Sequence, residues 1–271
     1  MKDGKVFLVS GASRGIGRAL ADEIARRGHT VYGSSRSWSG AEPALTFHPI
    51  TMDVQDDESV RTAVQEVFEA ERRIDVLVNN AGISHSGPIE ETPIETVRGL
   101  LETNYLGVVR TLQAVLPLMR KQGLGTIVNV GSAGGKIAIP FQAHYSASKF
   151  AIEGLSEALW QELHDSGIRV LLIEPGDVQT EIWDRSQHLL EENSPYLDAL
   201  VRFHTVKKKG MGDAADSPAR VAEKIADIIE SDTNTLRHPV ARMAGIFLLA
   251  RKYLPDSIFL WAVRRTYRID K

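Results

Sequence analysis

Short apolar runs alternate along the chain with longer segments in which apolar residues recur every three or four positions. The apolar runs have strand length and a largely β-branched or apolar composition: Val6–Val9, Thr30–Tyr32, Val76–Val78, Thr126–Val130 and Val170–Ile173. The segments between them have helical spacing, as at Ile16, Leu20 and Ile24. Because the strands are apolar throughout and alternate with helices, the pattern predicts a parallel sheet that is covered by helices on both faces.

This alternation breaks between about residues 183 and 212. The stretch is polar, lacks a strong period and includes the run Lys207–Lys209, for which a solvated loop is the simplest interpretation. Helical order resumes at Ser217-Pro218, a good N-cap and first-turn pair. Long irregular stretches in compact domains are usually lids, binding loops or disordered segments, and we interpret residues 183–212 as a substrate loop.

Composition limits the class of protein. The chain has 271 residues, 43% of them hydrophobic, which is enough for one α/β domain over residues 1–271. Its net charge of −3 argues against a nucleic-acid partner, and the absence of cysteine excludes disulfides and thiolate chemistry. No His, Asp or Glu cluster has metal-ligand spacing, so we expect no metal. Without a signal peptide pattern or a bilayer-length apolar run, we expect a cytoplasmic protein with no integral membrane segment.

A glycine-rich turn, Ser10-Gly11-Ala12-Ser13-Arg14-Gly15-Ile16-Gly17, joins the first strand to a helix. Glycines let the backbone approach a pyrophosphate closely, and the helix N-terminus offers unpaired N–H groups. The glycines alone leave two interpretations equally open, a dinucleotide site and a tight connection without a ligand. The position favours the first, because an open α/β sheet binds its cofactor at the first strand-to-helix turn.

The end of the second strand indicates which dinucleotide is preferred. A carboxylate at this place would accept from the ribose 2′-hydroxyl and repel a 2′-phosphate, but here Ser35 precedes Arg36. Arg14, within the glycine turn, can reach the same region, and two guanidinium groups suit a phosphate. The alternative is that both arginines are solvated surface residues. We favour NADP(H) over NAD(H).

Tyr145 and Lys149 lie four residues apart in a segment that leads into a helical pattern. That spacing places both side chains on one helix face. An ammonium group near a phenol favours the phenolate and lowers the tyrosine pKa, which would make the pair a usable proton donor and acceptor. Taken alone, the pair is weak evidence of catalysis, because a tyrosine and a lysine four residues apart on a helix are usually just an amphipathic pair.

Further motifs accompany this pair, in an order and near a spacing that resemble the short-chain dehydrogenase/reductase superfamily. They are the glycine turn, Asn79-Asn80-Ala81-Gly82, Asn104, Ser132, Tyr145-x-x-x-Lys149 and Pro175-Gly176. The resemblance covers Val6 to about Thr180 and is closest in pattern to the shorter reductase branch. It implies a Rossmann-type, doubly wound α/β/α fold with about seven parallel strands. It also implies an enzyme that transfers a hydride between NADP(H) and a carbonyl or alcohol, and a homodimer or homotetramer formed through the middle helices.

The resemblance also implies roles for individual residues. Tyr145 would exchange the substrate proton, and Ser132 would hydrogen-bond the substrate oxygen. Lys149 would hold the nicotinamide ribose and lower the tyrosine pKa, while Asn104 would hold a water that links Lys149 to solvent. The expected cofactor-binding set is Gly11, Ser13, Arg14, Gly15, Ile16, Gly17, Arg36, Asp53, Val54, Asn80, Ala81, Gly82, Asn104, Tyr145, Lys149, Pro175, Gly176, Val178 and Thr180.

The C-terminal residues, about 243–265, contain two short apolar helical patterns that are broken by Pro255 and carry arginines at their ends. They could pack against the substrate loop or a neighbouring subunit, form a helical lid over an apolar substrate pocket, or lie as an amphipathic segment on a membrane surface. This tail resembles that of bacterial members grouped with retinol and 17β-hydroxysteroid dehydrogenases. The resemblance implies a bulky hydrophobic ketone, aldehyde or secondary alcohol as substrate.

Two rival functions remain open from the sequence. One is an NADP-dependent reductase of a carrier-bound or small polar carbonyl, which would show the same motifs. The other is a nucleotide-binding sensor or scaffold without catalysis, which an incomplete set of catalytic residues would favour. His85 and His144 lie near the predicted cleft, and we interpret them as polar lining rather than as catalysts.

Overall fold

The computed structural model describes residues 4–38, 40, 44–180, 193–213, 215–240 and 244–269, with backbone alone for 211–213 and 244–248. Within these residues, seven strands form one parallel sheet in the order β3-β2-β1-β4-β5-β6-β7. The strands are β1 (Val6–Val9), β2 (Thr30–Ser35), β3 (His48–Thr51), β4 (Val76–Asn79), β5 (Gly125–Val130), β6 (Ile168–Glu174) and β7 (Arg237–Pro239). The predicted doubly wound α/β fold is confirmed.

Helices connect the strands and cover both faces of the sheet. They are α1 (Gly15–Arg26), α2 (Asp57–Glu71), α3 (Ile94–Leu101), α4 (Gly107–Gln122), α5 (Ala143–Glu162), α6 (Leu197–Asp213), α7 (Pro218–Glu230), α8 (Ala244–Tyr253) and α9 (Asp256–Thr266). A π-helical turn at Glu102–Leu106 joins α3 to α4. None of the described helices has both the length and the apolar composition needed to cross a bilayer.

Alternate residues of the central strands contribute to two separate hydrophobic cores, because successive side chains point to opposite faces of a sheet. In β1, Leu8 joins the core under α2, α4 and α5, whereas Phe7 and Val9 join the core under α1 and α7. All three side chains are fully buried. Strand β1 is therefore apolar throughout, as the sequence pattern predicted for it.

The sheet order changes direction between β1 and β4, which are neighbours in the sheet although β2 and β3 lie between them in sequence. Chain segments that leave these two strands diverge to opposite sides, so a crevice opens at their carboxyl ends. The glycine turn after β1 and the Asn79–Gly82 segment at the end of β4 both lie at this crevice.

The prediction of an irregular loop over residues 183–212 is wrong for its second half, because Leu197–Asp213 forms helix α6. Leu200, Phe203 and Lys207 are all buried and lie at helical spacing on one side. Because the third of these positions is a lysine, the helical period of buried residues was not visible in the pattern of hydrophobic residues. Residues 183–192 lie outside the described residues.

Helical structure at the C-terminus is confirmed, with α8 and α9 separated at Pro255. The predicted N-cap of α7 is also present, since the Ser217 hydroxyl accepts a hydrogen bond from the Arg220 backbone N–H at 3.3 Å.

Candidate active site

The glycine turn after β1 packs directly against the turn after β4. Gly11 has a positive φ of 69°, and a Cβ there would lie 2.8 Å from the Ala81 Cα. A Cβ on Gly17 would lie 2.3 Å from the Gly11 carbonyl oxygen. Side chains at these two positions would push the turns apart, so both glycines are required for the close approach.

Ser10 and Asn80 hold the two turns together by hydrogen bonds. The Ser10 hydroxyl accepts from the backbone N–H groups of Asn80 and Ala81, each at 3.0 Å. The Asn80 side-chain amide donates to the carbonyls of Ser10 at 3.0 Å and Gly11 at 3.1 Å. These protein contacts hold the two turns that form the floor of the crevice.

A cavity of about 1100 Å³ occupies this crevice and brings most of the predicted site residues together. Its walls include Gly11, Ser13, Arg14, Gly15, Ile16, Arg36, Asp53, Val54, Asn80, Ala81, Gly82, Ser132, Tyr145, Lys149, Pro175, Gly176, Val178 and Thr180. Gly17 and Asn104, from the same predicted set, do not line the cavity and lie behind its walls. Gly17 packs against the Gly11 carbonyl, and Asn104 bonds the Ile83 backbone, so both support residues that line the cavity.

One end of the cavity has the features of a dinucleotide site. Helix α1 begins at Gly15, and its unpaired N–H groups face the cavity beside Arg14. Arg14 and Arg36 are both exposed and line the cavity, together with Ser35 at the end of β2 and Ser37 after it. A dinucleotide fits these residue types, because the glycine backbone admits a pyrophosphate and guanidinium groups bind phosphates.

Asp53 has a local structural role in addition to lining the cavity. Its side chain accepts from the Gln55 backbone N–H at 3.0 Å, and its own N–H donates to the Ser59 hydroxyl at 2.9 Å. These bonds shape the turn between β3 and α2. The turn then presents Asp53 and Val54 to the cavity, at the place where the resemblance implies an adenine.

Asn104 lies in the π-helical turn between α3 and α4, a feature that is often found at functional sites. Its side chain is buried and fully engaged. It accepts from the Ile83 N–H at 2.8 Å, and it donates to the Ile83 carbonyl at 2.9 Å and the Ser148 hydroxyl at 3.0 Å. Asn104 therefore fixes the chain after Gly82 against helix α5. Its role in a water relay stays a prediction.

Helix α5 presents Tyr145 and Lys149 to the cavity one turn apart, and both side chains are buried. The Tyr145 hydroxyl is hydrogen-bonded to Ser132, which follows β5. The Lys149 ammonium donates to the Val130 carbonyl at 2.9 Å. Three groups that can exchange protons or donate hydrogen bonds thus converge from two elements at one point of the cavity wall.

Burial and neighbouring charges set the acidities of this group. Burial raises the pKa of Tyr145, while its hydrogen bond to Ser132 and the charge of Lys207 lower that pKa. Burial lowers the pKa of Lys149 to about 8. The cation that acts on Tyr145 here is Lys207, and the predicted action of Lys149 on the tyrosine stays a prediction.

Lys207 is a site residue that the sequence analysis missed, because its lysine run was interpreted as a solvated loop. It lies on the buried face of α6 and lines the cavity, whereas Lys208 and Lys209 are exposed. Its ammonium lies 2.9 Å from an Asp177 carboxylate oxygen. It also hydrogen-bonds the Tyr267 hydroxyl, so Lys207 connects α6, the segment after β6 and the C-terminus.

The other end of the cavity is largely apolar and is formed by the C-terminal helices. Residues that face it from α8, α9 and their connection are Ala250, Leu254, Phe259, Ala262, Val263 and Thr266. His85 also lines the cavity and lies 3.3 Å from the Thr92 hydroxyl, which fits polar lining. Among the described residues, no group of three His, Cys, Asp or Glu side chains could hold a metal ion.

Comparison with known proteins agrees with this arrangement. A family model for short chain dehydrogenases matches residues 5–190. The chain is 37% identical to a 3-ketodihydrosphingosine reductase of Bacteroides thetaiotaomicron, over 98% of both proteins. It is 35% identical to 17-beta-hydroxysteroid dehydrogenase type 1 of Homo sapiens, over 86% of this chain and 76% of that protein.

A solved structure extends the similarity to the whole fold. A short-chain dehydrogenase from Streptomyces avermitilis superposes with a TM-score of 0.80 at 32% identity, over 98% of this chain and 97% of that one. The chain therefore belongs to the short-chain dehydrogenase/reductase family of NAD(P)-dependent oxidoreductases, which act on carbonyl or alcohol groups.

Proposed function

We propose that this protein uses NADPH to reduce a ketone that is attached to a long or bulky apolar group. The observation that carries the proposal is one cavity whose lining combines Tyr145 and Ser132 with two chemically different sets of residues. One end has the glycine turn and two arginines, and the other has apolar side chains from the C-terminal helices. A carbonyl at the junction would contact the proton donor while its apolar group fills the second end.

Arg14 and Arg36 support NADP(H) as the cofactor. Both are exposed at the end of the cavity where β2 ends, and no acidic residue follows β2 before Trp38. A phosphate there would meet two guanidinium groups in bidentate geometry. Arg36→Ala should weaken NADPH binding at least tenfold and leave NADH binding nearly unchanged. Fluorescence titration with both cofactors measures this, and equal weakening of both would contradict the assignment.

Ser132 and Tyr145 carry the proposed proton transfer. When bound, NADPH supplies the hydride that reduces the carbonyl carbon. Ser132 donates a hydrogen bond to the substrate oxygen and orients it toward Tyr145. The Tyr145 hydroxyl donates its proton to that oxygen as negative charge develops there. Lys149, one turn away, holds the nicotinamide ribose and supplies the positive charge that favours the phenolate left behind.

The apolar end of the cavity supports a bulky hydrophobic substrate. Phe259, Ala262 and Val263 of α9 present apolar surface there. A small polar carbonyl would leave this surface hydrated, so it would gain little binding energy from it. Two relatives have names that point the same way, a 3-ketodihydrosphingosine reductase and a 17-beta-hydroxysteroid dehydrogenase.

A series of ketones that differ only in chain length tests the substrate class. We expect kcat/KM with NADPH to rise about fourfold with each added methylene until the apolar end is filled, because each buried methylene contributes about 0.8 kcal/mol. Phe259→Ala should flatten this series, while Leu124→Ala, an exposed leucine far from the cavity, should not. A flat series in the wild type would favour the carrier-bound or small polar carbonyl.

We also propose that the single domain assembles into a homo-oligomer through its middle helices. Leu101 of α3, Leu106 of the π-helical turn, and Phe150 and Trp160 of α5 are large apolar side chains exposed on the described chain. Burial of such residues between copies would remove apolar surface from water. Light scattering measures the mass, and a Phe150→Glu variant should shift it to the monomer. A monomeric wild type would contradict this assembly.

A further inference from the structure

The C-terminal helix pair, α8 and α9, has an outer surface that the proposed chemistry does not use. Phe259, Ala262 and Val263 point into the cavity from one side of α9. At 100° per residue, Ile258, Leu260 and Trp261 fall on the remaining, outward part of the helix. These three side chains are 50%, 48% and 53% exposed, respectively. Among the described side chains, α9 therefore presents apolar residues to the cavity on one side and large exposed apolar residues on the other.

Basic residues accompany this apolar surface. The chain from 244 to 269 contains five basic residues and one acidic residue, Asp256. The Asp256 carboxylate is paired with Arg251. Lys252, Arg264 and Arg265 are exposed on the same two helices. The outer surface thus combines large apolar side chains with an excess of positive charge.

An exposed apolar residue of the helix pair also lines the cavity. Leu254, in the connection between α8 and α9, lines the cavity and is also 41% exposed. An apolar molecule that enters past Leu254 meets apolar side chains of α9 on its way inward. A substrate that leaves a lipid phase at this point would not have to cross bulk water.

We propose that the outer face of the C-terminal helix pair docks on the surface of an anionic membrane. Apolar side chains with an interfacial tryptophan enter the boundary between headgroups and acyl chains, and lysine and arginine side chains contact anionic headgroups. The helices lie on the surface, since none of the described helices could span a bilayer. Docking places the mouth of the cavity at the lipid boundary.

A second copy of this chain fits the face less well. A two-fold contact centred on the basic residues of the face would bring them against the same residues of the other copy. Lys252, Arg264 and Arg265 would then meet like charges, whereas anionic lipid headgroups would neutralise them. The charge pattern thus favours lipid over self-association.

Co-sedimentation of the purified full chain with vesicles tests the proposal. We expect the protein to pellet with phosphatidylcholine vesicles that contain phosphatidylglycerol, at least tenfold more strongly than with pure phosphatidylcholine, and to be released by salt. The triple variant Ile258→Ser, Leu260→Ser and Trp261→Ser should lose this binding by tenfold or more. Leu124→Ser, an equally exposed leucine outside the face, is the matched control and should bind as the wild type.

A charge variant separates lipid docking from general stickiness. Lys252→Glu with Arg265→Glu should abolish the preference for anionic vesicles, whereas Lys121→Glu on α4 should not. Absence of vesicle binding, or equal binding by the triple variant and the wild type, would overturn the proposal. A triple variant with a smaller oligomeric mass would also overturn it, because the face would then be a contact between copies.

The docking proposal goes beyond the proposed reaction, and the two can fail separately. Vesicle binding is measured without cofactor or ketone, so it does not depend on catalysis. Turnover of a short, water-soluble ketone should be the same for the wild type and the triple variant, because the three residues face away from the cavity. Retained turnover without vesicle binding would overturn docking alone.

Discussion

Lys149→Met should stabilise the cofactor-free protein near neutral pH while it removes catalytic activity. Burial lowers the pKa of Lys149 from 10.5 to about 8. A shift of this size means that keeping the ammonium charged in the folded state costs about 3 kcal/mol. Methionine has a similar volume and no charge, but the variant loses the hydrogen bond to the Val130 carbonyl, which contributes about 1 kcal/mol. The net expectation is a gain of about 2 kcal/mol, or a Tm higher by roughly 4–8 °C.

The gain should depend on pH, and this dependence identifies its cause. Since the folded pKa of Lys149 is about 8 and the unfolded one is 10.5, the unfolded chain binds more protons between these values. Wild-type stability therefore rises with pH across this window, and the full cost of the buried charge is present below it. The advantage of Lys149→Met should be largest below pH about 8 and should vanish near pH 10.5.

Urea unfolding at several pH values measures both effects. Lys121→Met, on the exposed side of α4, is the control and should change stability by less than about 0.5 kcal/mol. NADPH titration of Lys149→Met should show weakened binding, as expected if Lys149 holds the nicotinamide ribose. A variant that is less stable than the wild type near pH 7, or a gain that does not change with pH, would refute the reasoning.

Other charged groups around the site give further predictions. Ketone reduction needs protonated Tyr145, and the charges of Lys207 and Asp177 act on the Tyr145 pKa in opposite directions. Lys207→Met should therefore move the alkaline limb of the kcat profile to higher pH. Asp177→Asn should move the same limb to lower pH. Lys208→Met on the same helix should leave the limb in place; a shift of both site variants in the same direction would contradict this electrostatic role. Burial raises the pKa of Glu174 from 4.5 to about 7. The neutral carboxyl therefore favours the folded state below pH 4.5, and this contribution to stability is lost as the pH rises to about 7 and the buried group ionises. Glu174→Gln should therefore raise the Tm relative to the wild type at pH 8 but not at pH 4.5, and an equal effect at both values would argue against a buried carboxyl.

The sequence predicted the sheet and the residues that line the cavity around the glycine turn because both depend on local signals. Strands such as Val6–Val9 are apolar throughout, and the glycine turn is one continuous segment. Tyr145 and Lys149 are close in the fold because helix geometry places residues four apart on one face. Such features require no knowledge of how distant segments pack.

Features that arise from packing between distant segments were missed. Strand β7 is only three residues long, Arg237–Pro239, and has no apolar run. The hydrophobic pattern did not predict helix α6, because the next buried position on its inner face after Phe203 is Lys207. The buried state of Lys207 depends on Asp177 and Tyr267, which lie 30 and 60 residues away in sequence, and no local pattern reports that contact.

Sequence motifs also did not distinguish lining residues from those behind the wall. Gly17 and Asn104 belong to the recognised motifs, yet the structure places them in contacts that hold the turns after β1 and β4. A motif indicates that a position requires a certain residue type. Only the packing shows whether that residue contacts a ligand or allows two backbone segments to approach closely.

The central claim is proton donation by Tyr145 during reduction of an apolar ketone by NADPH, and single-turnover NADPH oxidation tests it most directly. Enzyme with bound NADPH is mixed with a long-chain ketone, and the oxidation rate is compared between the wild type and Tyr145→Phe. We expect the variant to bind NADPH as well as the wild type does and to oxidise it about 10²–10⁴-fold more slowly. An unchanged rate in Tyr145→Phe, or no ketone-dependent oxidation by the wild type, would contradict the account.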